Sequence, residues 1–240
     1  MSTHSWHGNW RGRTPVGDPH RRAREVISPS GGIVRGKFPS RKNGRMVHHE
    51  GLLELDAIYL FETSPRIVRY REQPPTIHYP DGAKVRRYTP DFELVLVTGE
   101  TVSIEVKPTR SLADVAVHHK LACVAAHLSR SATPFVILTD KSLREEPRQS
   151  SLRWLYHQAT RVPPTADAMR IVLDRCQRHF PISIKEAGVL LAECGVDPYS
   201  LLFAGLLRCS LETPVSLDAL LNLTTELDDD WFCLAPEHGF

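Results

Sequence analysis

No stretch of this 240-residue chain is apolar for long enough to cross a bilayer, and its first residues lack the apolar core of a secretory signal. The expectation is a soluble, cytoplasmic protein. Its five cysteines, Cys123, Cys176, Cys194, Cys209 and Cys233, stand far apart and form no C-x-x-C, which argues against a disulfide framework and a zinc module. The histidines His48-His49 and His118-His119 are adjacent pairs that point in different directions on a helix or strand, so zinc is not expected. Acids are scarce in residues 1–49, where ten Lys/Arg face only Asp18 and Glu25, while residues 211–240 contain seven acids and no Lys or Arg. The net charge of +2 hides this asymmetry. Residues 1–40, basic and rich in Gly, Pro and Ser, read as a flexible arm that neutralises phosphates, or as a plain solvated tail. The acidic end should repel DNA.

What is present is a core-forming composition, 41% hydrophobic, and a run of alternating residues from Pro90 to Lys107. In Thr101-Val102-Ser103-Ile104-Glu105-Val106-Lys107 the residues Val102, Ile104 and Val106 take one face of a strand and Glu105 and Lys107 the other. On the preceding strand Phe92, Leu94 and Leu96 form the apolar set, which leaves Asp91 and Glu93 opposite. A hairpin with the loop Thr98-Gly99-Glu100 would set Asp91 across from Lys107 and Glu93 across from Glu105. An even loop would send Asp91 to the wrong face, so an odd loop is predicted. Carboxylates beside an ammonium suit phosphodiester hydrolysis. Hard oxygens hold Mg²⁺, the ion polarises a phosphoryl oxygen, and the lysine orients water and offsets charge on the phosphate. The plainer alternative is a surface hairpin with a solvated Glu105–Lys107 pair.

Upstream, residues 52–62 read as a helix that is apolar on nearly all sides and therefore buried, with Glu54 inside it. A buried carboxylate needs a metal or a partner, and Arg66, Arg69 or Arg71 could be that partner. Glu50, four residues earlier on the same helical face, is the rival ligand. Arg41, Lys42 and Arg45 lead toward this helix and are candidate DNA-backbone contacts. Arg86 and Arg87 follow the turn Pro80-Asp81-Gly82 on strands leading into the hairpin, placed to grip a duplex. Lys120 is either a further phosphate contact or a surface lysine. Helices are expected over 112–128 and from 152, with a buried strand at 134–139, giving the order α-β-β-β-α-β then helix.

Val162-Pro163-Pro164-Thr165 marks a domain boundary between 41–162 and a helical 163–240. Helices are expected at 166–179, 184–194 and 199–208. Ser183 with Glu186 forms a capping box, Gly195 closes that helix, and Asp197-Pro198 opens the next. The tight turn suggests helix-turn-helix or winged-helix geometry, yet residues 199–208 are mostly apolar and offer little to base edges. That helix either docks a protein or packs in the core.

Arg35-Gly36-Lys37-Phe38-Pro39-Ser40, Leu53-Glu54-Leu55, Arg71-Glu72-Gln73-Pro74, Tyr88-Thr89-Pro90-Asp91-Phe92, Glu105-Val106-Lys107-Pro108, Pro134 to Lys141 and Trp154-Leu155-Tyr156 resemble, in order and spacing, segments of the TnsA endonuclease family of heteromeric bacterial transposases. The resemblance implies an α/β, restriction-endonuclease-like core of the PD-(D/E)xK superfamily. It implies cleavage of the 5′ ends of a mobile element, while a DDE-type transposase partner cuts and joins the 3′ ends. Carried over by position, Glu54 and Asp91 are metal ligands and Lys107 the catalytic lysine. Glu105, where some members carry Gln, is an auxiliary catalytic ligand, and the Val106 carbonyl is a further ligand. The implied cofactor is Mg²⁺, with Mn²⁺ as a substitute. The implied partners are transposon-end DNA, the transposase, and an AAA+ ATPase regulator that the C-terminal region of family members contacts. A stand-alone restriction or repair nuclease and a non-catalytic adaptor are the alternatives.

Overall fold

The alternating run forms two strands, β6 (Phe92–Leu96) and β7 (Thr101–Lys107), in the computed structural model, which describes residues 34–224 with His20, Arg22, Ala23 and Phe240. Phe92, Leu94 and Leu96 are buried while Glu93 and Val95 are half-buried, as the alternation requires. The strands pair antiparallel with Phe92 opposite Ile104 and Glu93 opposite Ser103. The loop is therefore Val97-Thr98-Gly99, one residue earlier than expected, and Leu96 N–H donates to the Glu100 carbonyl at 2.9 Å. The cause is Gly99, whose φ of +85° suits the last position of a three-residue hairpin loop. A one-residue displacement of the loop slides the pairing by two. Parity survives, so Asp91 still falls on the face of Glu105 and Lys107, but Glu93 no longer faces Glu105.

Two further strands complete the sheet, β3 (Ile67–Glu72) beside β6 and β8 (Phe135–Thr139) parallel to β7, giving the order β3-β6-β7-β8. Because β7 is central, both of its faces are covered and Ser103 and Glu105 are buried with its apolar residues. The helices α1 (Leu52–Thr63), α3 (Asp140–Leu143) and α4 (Arg148–Gln158) pack with one face, where Ile104, Val106, Val136 and Leu138 meet Ile58 and Phe61. The other face carries α2 (Val115–Ser129) and a hairpin of β4 (Ile77–Asp81) and β5 (Lys84–Tyr88), joined by a second apolar cluster of Tyr79, Tyr88, Leu121, Val124 and Leu128.

The segment before α1 is more ordered than its composition suggests. Residues 35–40 form β1 (Arg35–Ser40), paired with β2 (Arg45–Glu50), so the expected arm does not extend to residue 40. Residues 1–19, the greater part of that arm, lie outside the described residues. The β1–β2 turn is held by buried Glu62, which accepts from Ser40 Oγ at 2.8 Å, Arg41 N at 2.5 Å, Lys42 N at 3.1 Å and Tyr70 Oη at 2.8 Å. These donors are what allow a carboxylate to sit there.

After α4 come α5 (Ala166–Cys176), β9 (Ile182–Ser183), α6 (Ile184–Ala192), α7 (Pro198–Phe203), β10 (Leu207–Arg208) and β11 (Leu220–Leu223), with the three strands in a small sheet of order β10-β11-β9. The Ser183–Glu186 capping box and the Asp197 cap before Pro198 form as expected. The last helix is shorter than residues 199–208, because Gly205 turns the chain at φ +71° and Leu207–Arg208 enter the sheet. Leu201 and Leu202 are fully buried, and the Tyr199 ring meets Trp154 of α4 at 5.9 Å. The apolar helix thus packs in the core, and its buried residues run continuously into the core beneath α1 and α4. Most of the acidic end, residues 225–239, lies outside the described residues.

Candidate functional site

Asp91, Glu105 and Lys107 are brought together by the β6–β7 hairpin. Lys107 Nζ lies 2.7 Å from Glu105 Oε1 and 3.9 Å from Asp91 Oδ2. Asp91 Oδ2 accepts the Val106 N–H at 2.8 Å. The N–H and C=O of one strand residue point to the same side, so the Val106 carbonyl also faces the Asp91 side of β7. The far oxygen of Glu105 accepts from the Tyr88 hydroxyl, which fixes the carboxylate between phenol and ammonium. Sequence reasoning did not single out Tyr88 for a role. Its only signal was its closeness to Asp91, since nothing local says that β5 folds back over β7.

Glu54 joins from the first turn of α1, its Oε2 accepting the Glu50 N–H at 2.6 Å. Burial and the negative charge of Asp91 push its carboxyl up to about 8, with Glu50 adding to the effect and Lys107 opposing it. Asp91 is pushed up to about 7 by burial and by Glu105, against the pull of Lys107 and the Val106 N–H. Burial and the Glu105 charge likewise push the Tyr88 hydroxyl up. Lys107 is raised despite its own burial, because Asp91 and Glu105 favour its cation. One ammonium thus serves three clustered carboxylates, and the deficit of positive charge is what a hard divalent cation would fill.

The helical ligand is resolved in favour of Glu54. Glu50 is not in the helix but ends β2, cut off by Gly51 at φ +99°, and its carboxylate pairs with Arg35 at 3.4 Å. An arginine partner for Glu54 is not what the structure shows either, since its charged neighbours are Asp91, Glu50 and Lys107, while Arg71 pairs with Glu93 at 2.6 Å. That pair borders a polar cleft of about 370 Å³ lined also by Arg69 and Thr101, so Glu93 stands apart from the acid cluster.

The expected DNA contacts divide into two groups. Arg41 donates to the carbonyls of Tyr156 at 2.7 Å and Ala159 at 3.1 Å and lies over the Tyr156 ring. Lys42 donates to the Ser64 and Ile67 carbonyls, and Arg45 grips Glu72 at 2.9 and 2.7 Å. All three are structural braces, contrary to the expectation that they face a duplex. Arg86 is exposed and paired with Asp81, Arg87 is exposed on the same hairpin, and Lys120 sits 5.6 Å from the Tyr88 ring centroid.

Residues 64–140 match the family model of the TnsA-like endonuclease N-terminal domain. This segment is a TnsA-like endonuclease domain. It contains Tyr88, Asp91, Glu105 and Lys107, while Glu54 lies just before the matched stretch. No curated protein matches the chain. The TnsA-like domain is related to the endonuclease component of TnsA-type transposases, and its mixed α/β sheet positions the acids as a nuclease core does. No helix among the described residues is long and apolar enough to cross a membrane.

Proposed function

We propose that this protein is the metal-dependent endonuclease subunit of a heteromeric transposase, hydrolysing the non-transferred strands at the 5′ ends of the element. The observation that carries this reading is the cluster of Glu54, Asp91 and Glu105 around a single Lys107, in a TnsA-like endonuclease domain. The carboxylates fit a hard cation by donor chemistry and by their unmet negative charge. Glu54, Asp91 and Glu105, with the Val106 carbonyl, would hold Mg²⁺, or Mn²⁺ in its place. When bound, such an ion polarises a phosphoryl oxygen and makes water nucleophilic near neutral pH.

The remaining chemistry belongs to this chain's own groups. Lys107, held 2.7 Å from Glu105, presents a fixed cation that orients the attacking water and offsets negative charge on the phosphate. The Val106 N–H fixes the rotamer of Asp91, and the Tyr88 hydroxyl fixes that of Glu105, so both carboxylates are set before substrate arrives. Arg87, with Arg86, lies on the hairpin that ends at Tyr88 and would contact the duplex backbone. The order α5-β9-α6-α7-β10-β11 supports a winged-helix reading of the C-terminal part. With α7 packed inward, that part would serve the transposase or an AAA+ ATPase regulator rather than read bases.

The test is strand-specific cleavage of labelled transposon-end DNA with Mg²⁺, with and without the DDE-type transposase. Loss of only the 5′-end cut in Asp91→Ala and Lys107→Ala supports the assignment. Wild-type cutting of both strands by these variants would make the chain a non-catalytic adaptor.

A further inference from the structure

On the opposite side of Tyr88 from the acid cluster, three side chains that sequence reasoning had set aside come together. His119 and Cys123 are four residues apart on α2 and so share one helical face. Asp81, at the tip of the β4–β5 hairpin, reaches the same point: its Oδ1 lies 2.9 Å from His119 Nε2, and Cys123 Sγ lies 3.6 Å from that nitrogen. All three donor atoms fall within 4.8 Å of one another. We propose that Asp81, His119 and Cys123 form a second metal site, for zinc or another borderline-soft divalent ion, that clips the β4–β5 hairpin to α2.

Geometry and donor type support this assignment. Tetrahedral zinc with ordinary bond lengths separates a sulfur and a nitrogen ligand by about 3.6 Å and an oxygen and a nitrogen by about 3.4 Å. The Cys123–His119 separation already has the first value, and the Asp81–His119 contact needs to open by only about 0.5 Å. A thiolate, an imidazole and a carboxylate form a zinc-type set and a poor one for Mg²⁺, so the two sites would not compete for one ion. The second oxygen of Asp81 is held by Arg86 Nε, the kind of outer partner that orients a ligating carboxylate. On binding, the Cys123 thiol releases its proton to solvent and His119 moves its proton to Nδ1, which frees Nε2 as a donor. A water would complete the coordination, since His119 is exposed.

The position gives the clip a consequence. Beneath it, only the small cluster of Tyr79, Tyr88, Leu121, Val124 and Leu128 joins hairpin to helix. The hairpin carries Arg86 and Arg87 and ends in Tyr88, which sets Glu105. A bound ion would stiffen the element that delivers both. The spacing was illegible in the sequence because Asp81 is far from α2 along the chain and because an i, i+4 His–Cys pair has no C-x-x-C signature.

The test is titration of the full chain with Co²⁺, followed by its thiolate-to-cobalt charge-transfer band, which the sulfur-free acid cluster cannot give. The expected result is one equivalent bound with that band, displaced by Zn²⁺ and not by Mg²⁺, unchanged in Cys194→Ser. The band disappears in Cys123→Ser, and affinity falls by more than about tenfold in His119→Gln and Asp81→Asn. His119 is exposed, so its replacement leaves the fold intact, which an unchanged Tm of the metal-free chain verifies. Absence of the band in the wild type, or its survival in Cys123→Ser or His119→Gln, would overturn the proposal.

Discussion

Replacing Asp91 by Asn removes one charge from the acid cluster while keeping shape and an oxygen to accept the Val106 N–H. Asp91 is pushed from its ordinary 3.8 up to about 7, chiefly by burial and by Glu105, and its side chain is only 12% exposed. An acid whose folded value is raised weakens the fold as pH climbs through that interval: the native state holds the proton that the unfolded chain has lost. The cost is absent below about pH 4, grows up to about pH 7 and then levels off at an upper limit of about 4 kcal/mol. Part of it is shared with Glu54, itself pushed up to about 8 by burial and Asp91, so relief of about 2 to 4 kcal/mol is expected at about pH 8. At about pH 5 the advantage of Asp91→Asn should shrink to about a third. Urea unfolding of both chains in EDTA at the two pH values measures this directly, and saturating Mg²⁺ should reverse the order by stabilising only the wild type. A variant no more stable than wild type at about pH 8 without metal would refute the electrostatic reading of the cluster.

Tyr88→Phe removes the hydroxyl that holds Glu105, so the Mg²⁺ concentration for half-maximal cleavage should rise about tenfold or more with the fold unchanged. Arg87→Ala should weaken DNA binding evenly across sequences and reduce the salt slope by about one, read by fluorescence anisotropy at several salt concentrations. Leu202→Ala opens the core under α7 and should cost about 2 to 5 kcal/mol in chemical denaturation while leaving the residues of the acid cluster in place.

The composition of the catalytic hairpin was legible because strand side chains alternate strictly. Parity alone placed Asp91, Glu105 and Lys107 on one face, and a two-residue slip of register could not change that. Helix caps at Ser183 and Asp197 were equally local and equally legible. Fates set by distant partners were not. Glu54 and Glu50 look equivalent along the chain, and only Gly51 and the pairing of β2 with Arg35 of β1 separate them. Arg41, Lys42 and Arg45 read as free cations until α4, the end of α1 and Glu72 come back to meet them. Sequence by itself determined which side chains can share a face, since that follows from the backbone repeat of a single element. The tertiary structure decided which charges are met, because Coulomb and hydrogen-bond partners here lie tens of residues apart and only packing brings Tyr88 to Glu105 or Asp81 to Cys123.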